Sequence, residues 1–143
     1  LTRNLGAGPG QVQVLGGVSG FSGQGTTGLT IKIGNNAATE VVWGALNEAG
    51  NALATGFFNP STLVLQGPWA NAGGNVNFQN KVDLNGTTRT IAVNKDPGTT
   101  AGNATISGVI RTSSGTAGLI KTGPGVLILS GANAYNGAIS GAT

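Results

Sequence analysis

Short runs of apolar residues alternating with polar ones recur along the chain: QVQV at 11–14, LTIKI at 29–33, EVVW at 40–43 and TLVL at 62–65. Further on come NVNF at 75–78, RTIAV at 89–93, ATIS at 104–107 and VLIL at 126–129. Each has a period near two, the pattern of a β-strand with one buried face. Turn signals separate them: Gly8-Pro9-Gly10, Gly34-Asn35-Asn36, Asn85-Gly86, Asp96-Pro97-Gly98 and Gly123-Pro124-Gly125. Such residues tolerate left-handed backbone or fix φ for a turn. The pattern predicts an all-β chain with one interruption. Residues 45–54 are rich in alanine and poor in β-branched residues, so a short helix or a loop insertion is expected around residues 45–58, with Gly50 arguing against a stable helix.

The predicted strands also resemble one another, which a sandwich or barrel does not require. Laying residues 8–14 over 123–129 aligns the Gly-Pro-Gly turns and sets Val12 on Leu127 and Val14 on Leu129. Laying 63–67 over 127–131 sets Leu63, Leu65 and Gly67 on Leu127, Leu129 and Gly131. Degenerate repetition of a strand-and-turn unit predicts a β-solenoid of short coils with Gly and Asn turns, residues 1–143 forming a single module. A coil cannot close its own core and must stack on neighbours. Residues 1–5 and 138–143 carry no polar cap, so the module reads as one repeat of a longer array or fibre.

Composition narrows the chemistry. Glycine accounts for 27 of 143 residues and charged residues for only 8%, against about 25% charged in an average soluble domain. The surface must therefore be covered by Asn, Thr, Ser and Gly. Net charge is +3, but Arg3, Lys32, Lys81, Arg89, Lys95, Arg111 and Lys121 are scattered singly and form no nucleic-acid stripe. No apolar run is long enough to insert this segment into a bilayer as a helix.

The chain has no cysteine and no histidine, which removes soft metal sites and the common nucleophilic dyads. Its four acidic residues are Glu40, Glu48, Asp83 and Asp96. A polysaccharide-degrading enzyme would need two of them across one sugar bond, and Asp83 and Asp96 are the pair that adjacent coils could bring together. Both stand in turn sequences, where a capping role is the simpler reading. Calcium coils of the Gly-Gly-x-Gly-x-Asp type are missing. No catalytic, metal or cofactor-binding residue is assigned. Lys121 is expected on the solvent side of a strand, and Arg89 is expected to pair with Asp83 or to reach a neighbouring module. Asparagines recur near strand ends, at Asn71, Asn75, Asn77, Asn80, Asn85, Asn94, Asn103, Asn133 and Asn136, and a few of these nine are expected to form amide ladders between stacked coils.

Gly118-Leu119, Lys121, Gly123, Gly125, Leu127, the run 129–133 (LSGAN), Tyr135 and Gly137 together resemble the autotransporter-associated β-strand repeat, also called the passenger-associated transport repeat. Upstream, residues 1–13, 42–44, 63–65, 78–80 and 83–91 are similar to the longer modules that precede this repeat in large bacterial surface proteins. The resemblance implies a right-handed parallel β-helix at the outer cell surface or outside the cell, and it supplies no catalytic residue. The expected function is a structural module of an extracellular filament or surface protein. Its partners would be further copies or tandem modules, met head to tail through Leu1, Leu5, Val12, Val14, Tyr135 and Ile139. The alternative is an adhesin segment that binds cell-surface glycan by stacking on Trp43, Phe57, Phe58 or Trp69.

Overall fold

A computed structural model of the chain describes residues 1–34, 37–44, 55–68, 74–95, 98 and 102–141. These contain fifteen strands: β1 (Thr2–Arg3), β2 (Val14–Leu15), β3 (Val18–Phe21), β4 (Leu29–Ile33), β5 (Glu40–Val42), β6 (Phe58–Asn59), β7 (Thr62–Leu65) and β8 (Val76–Phe78), then β9 (Lys81–Asp83), β10 (Arg89–Ala92), β11 (Ala104–Ile106), β12 (Ile110–Arg111), β13 (Leu119–Thr122), β14 (Leu127–Leu129) and β15 (Ile139–Gly141). Among the described residues helix is confined to one 3-10 turn, Thr55–Phe57. It occupies the end of the predicted insertion, whose residues 45–54 lie outside the described ones.

Every pairing between these strands is parallel. Sheet A has the order β1-β4-β8-β11-β14, sheet B β15-β13-β10-β7-β3, sheet C β12-β9-β5 and sheet D β2-β6. Parallel neighbours cannot be joined by a hairpin, so the chain must leave a sheet before returning to it. It does so in a fixed rotation. Strands β3, β4 and β5 visit sheets B, A and C; so do β7, β8 and β9, and then β10, β11 and β12. On the next pass β13 and β14 enter B and A, Ala134 bridges to Arg111 on the edge of sheet C, and β15 returns to B.

Alternation along each strand decides what is buried. In β7, Leu63 and Leu65 are buried while Thr62 and Val64 are half-exposed. Register stacks like on like: Leu63 lies opposite Ile91 and Ala104 opposite Val76, all 1% exposed or less. The buried side chains form a single cluster from Leu5 to Leu119. An aromatic group sits within it, with Trp43 and Phe58 edge to face at 5.4 Å and Phe58 to Phe78 at 6.1 Å. Full burial of each large apolar side chain contributes about 1.5–3 kcal/mol.

Two buried amides tie peptides of adjacent passes together. Asn80 accepts from Ile33 N and donates to the Ile33 and Thr39 carbonyls, while Gln66 accepts from Gly23 N and donates to Gly23 O. Each satisfies backbone groups where a strand ends inside the frame.

Candidate functional site: the open sheet edges

Among the described residues, β14 at the carboxyl-terminal edge pairs only with β11 and β15 only with β13. Leu127 and Leu129 align with Ala104 and Ile106, which are 0% and 1% exposed. Yet the two leucines are only half-buried, because no described strand lies beyond them. Ile139, opposite Leu119, is 57% exposed. Val126 and Ile128 add further exposed apolar surface here. Between β14 and β15 opens a cavity of about 490 Å³ lined by Lys121, Leu127 and Ile139 among others.

Lys121 departs from expectation. It stands opposite buried Ile91, so its side chain belongs to the inward column, half-buried, with Nζ donating to Gly123 O at 2.5 Å. Alternation from buried Leu119 was the sequence signal for this placement. A long apolar stem that ends in a charge can lie along such a rim while its head finds a carbonyl.

The Asn-x-Tyr-x-Gly tail is fastened to the preceding pass. Asn133 Oδ1 accepts from Ile110 N at 2.9 Å, and Asn136 Oδ1 accepts from Ala117 N at 3.1 Å while its amide donates to Gly115 O. Tyr135, between them, packs partly buried against the core, and that burial raises the pKa of its phenol. A shorter ladder runs before the strands of sheet A: Asn75 Oδ1 accepts from Asn103 N, and Asn103 Oδ1 from Val126 N. Val126 occupies the next position of this column, and the amides stop there.

The amino-terminal edge is formed by β1 in sheet A and β3 in sheet B. Leu1, Leu15 and Val18 are 42%, 43% and 74% exposed. A cavity of about 410 Å³ runs along β3, with Phe21, Val64 and Pro68 in its walls. Of the six residues expected at an assembly surface, Leu1 and Ile139 are exposed, Val12 and Tyr135 are partly buried, and Leu5 and Val14 lie inside the core at 4%. Leu5 bridges to Val12, and Val14 pairs with Phe58, so the chain's own backbone covers them.

The aromatic residues are divided differently from a stacking platform. Trp43 and Phe58 are 1% and 0% exposed, and the indole donates to Pro60 O at 3.0 Å; neither offers a face to a sugar. Phe57 packs partly buried against the same cluster, and Trp69 lies outside the described residues. Arg89 does not pair with Asp83. Its guanidinium lies 5.5 Å from the Trp43 ring centre and donates to the Trp43 and Leu84 carbonyls, and burial lowers its pKa.

Asp83 instead joins Arg111 and Glu40 across sheet C. Arg111 holds both Glu40 oxygens at 2.6 Å and approaches Asp83 at 3.3 Å. The hydrogen bond to Glu40 raises the Arg111 pKa, burial opposes it, and the charges of Asp83 and Glu40 add to the rise. Asp83, 2% exposed, also accepts from the backbone of Asn85 and Ser113. Its lone pairs are spent on turns and a clip between passes. Asp96 and Glu48 lie outside the described residues. Among the described residues no group of three or more acidic side chains could hold a metal ion.

Compared with known proteins, the chain matches no family model, no curated protein and no solved structure.

Proposed function

We propose that this chain is a structural module of an extracellular bacterial surface protein or filament, a right-handed parallel β-helix that stacks end to end with neighbouring modules. One observation carries the reading. Inward apolar residues that are buried in the inner strands, Ala104, Ile106 and Leu119, have half-buried or exposed counterparts at the last strands, Leu127, Leu129 and Ile139. Parallel strands with unpaired edges and an uncovered apolar interior are stabilised by a further strand laid in the same direction. The rotation through sheets B, A and C is the path of a solenoid, in which each turn contacts only its neighbours.

The resemblance of residues 118–137 to the autotransporter-associated repeat supports the outer-surface location and the right hand. In that tail Asn133 and Asn136 act as clamps between passes, a role suited to a recurring structural motif. The scarcity of charge, 8% of residues, leaves a neutral polar exterior that tolerates close lateral and axial contact.

Electron microscopy together with denaturing mass measurement tests this. Rods with an axial repeat are expected, built either from polypeptides of about 14.0 kDa or from a longer chain containing the module. Compact monomers under all conditions would overturn the proposal. A glycan-binding role would instead show as saturable change in tryptophan fluorescence on titration with polysaccharide.

A further inference from the structure

We propose that Asn85-Gly86 is a deamidation site kept closed by the next pass of the chain, with Thr112 as the positioning residue that holds the attacking nitrogen. The modification turns a neutral turn into an anionic one, and its only co-reactant is water. Two stacked turns inside the chain control it, and end-to-end stacking plays no part.

The sequence holds two Asn-Gly pairs, Asn85-Gly86 and Asn136-Gly137. In such a pair the glycine nitrogen gives up its proton and attacks the asparagine side-chain carbon Cγ. The new N–Cγ bond closes a cyclic imide as the Cγ–Nδ2 bond breaks and ammonia leaves. Water then opens the ring, and cleavage at one carbonyl gives aspartate, at the other isoaspartate. Glycine favours the attack because it has no Cβ to obstruct ring closure.

Asn85 and Gly86 form the turn between β9 and β10, half-buried, both with left-handed backbone at φ 53° and 69°. Thr87 N donates to Leu84 O across the turn at 3.3 Å, the tight geometry that an Asn-Gly pair suits. Among the described residues no hydrogen bond holds the Asn85 side chain. The attacking nitrogen is held instead. Gly86 N donates to Thr112 Oγ1 at 3.0 Å, and Thr112 Oγ1 donates to Ser114 O at 2.7 Å, which fixes the direction of its lone pairs. Arg111 lies opposite Asp83 in sheet C, so the turn after β12 sits on the turn after β9. Contact between them is close: a Cβ on Gly86 would fall 2.8 Å from Ser114 Oγ. A nitrogen bonded to a fixed acceptor is slower to lose its proton, and reaching Cγ would leave that bond unmade.

The second pair is closed at both partners. Asn136 Oδ1 accepts from Ala117 N, its amide donates to Gly115 O, and Gly137 N donates to Ala117 O at 2.9 Å. Attack there must break three bonds, against one at Asn85. Asn85 is therefore the pair that reacts first, whenever the turn carrying Thr112 lifts. Aspartate at this position would set a second carboxylate beside Asp83, whose Oδ1 accepts from the backbone N of residue 85. Isoaspartate would lengthen the main chain by a methylene between β9 and β10, and the bond from Thr87 to Leu84 could not close as it does.

Peptide mapping by mass spectrometry during incubation at mildly alkaline pH tests this, with the conversion of each asparagine followed separately. In the folded protein Asn85 is expected to convert faster than Asn136, and both faster in urea. Thr112→Val keeps the branched shape and removes the acceptor. It is expected to speed conversion of Asn85 roughly fivefold, the worth of one net hydrogen bond, and to leave Asn136 unchanged. Thr112→Ser retains the hydroxyl and is expected to keep the native rate. Equal rates at Asn85 in the native protein and Thr112→Val would overturn the assignment of Thr112, as would acceleration of both pairs together in that variant. Conversion of Asn85 in the folded native protein as fast as in urea, or of Asn136 ahead of Asn85, would overturn the closed site itself.

Discussion

Single side chains here matter most where they link one pass of the chain to the next. Asn80 is fully buried and serves three backbone groups. Asn80→Ala leaves them without partners and is expected to cost on the order of 3 kcal/mol, read as a lower urea midpoint. Arg111 is bidentate to Glu40 and its side chain is 39% exposed, whereas that of Asp83 is only 3% exposed. Arg111→Ala leaves the buried Asp83 carboxylate with its backbone donors but without a cation, and is expected to cost about 2 kcal/mol, solvent screening holding it below the cost of a fully buried pair. Arg111→Lys is expected to recover only part of this, because an ammonium cannot hold both Glu40 oxygens in a fork. Tyr135 is the one tyrosine of the chain, so its ultraviolet ionisation reports on the tail alone. Burial raises its pKa, and the unfolded chain therefore loses this proton first. Stability is expected to be unaffected by Tyr135 below the ordinary phenol range and to fall as pH rises through that range. Alkaline titration of the folded protein should show the phenolate forming later than in urea.

At the scale of the element, close approach between parallel passes sets which positions must be glycine. A Cβ on Gly108 would fall 1.8 Å from Asn80 O, and one on Gly118 would fall 2.0 Å from Ala138 O. Both partners are backbone and cannot swing away. Gly108→Ala is expected to lower the melting temperature by several degrees, equivalent to about 2 kcal/mol or more. At Gly25 the open space around the Cβ position means that only its positive φ resists substitution, so Gly25→Asn should be nearly silent in the same assay. The strands were legible in the sequence because alternation and turn residues are local properties. Most predicted runs became strands close to their expected bounds: residues 29–33 became Leu29–Ile33 and residues 62–65 became Thr62–Leu65. The run at 11–14 was shortened, with only Val14 reaching β2 and Val12 forming a lone bridge to Leu5. Which asparagines would act as ladders could not be read locally, since each joins residues nineteen or more positions apart.

For the whole molecule, the six residues expected at an assembly surface divide between exposed strands and the core. Leu5 and Val14, expected at an assembly interface, lie in the core, where Leu5 bridges to Val12 and Val14 pairs with Phe58. Val126, Ile128 and Ile120 read as ordinary strand residues and are exposed at the carboxyl edge. Ile139→Asp places a charge in the open apolar mouth and is expected to reduce assembly at least tenfold while leaving the thermal midpoint of the isolated module within about 2 °C, since Ile139 is already exposed. Sedimentation and thermal melting separate the two effects. Arg3 and Lys121 leave a cation at each end, so added salt is expected to promote stacking by screening their repulsion.

Strand content, turn positions and the recurrence of one strand-and-turn unit were determined by the sequence alone, because period-two alternation and glycine or asparagine punctuation act over a few residues. Pairing partners, the parallel rotation through three sheets and the inward turn of Lys121 were decided only in the tertiary structure. Those depend on which distant strand lies next to which, and a shift of one residue in register would send each side chain to the opposite face.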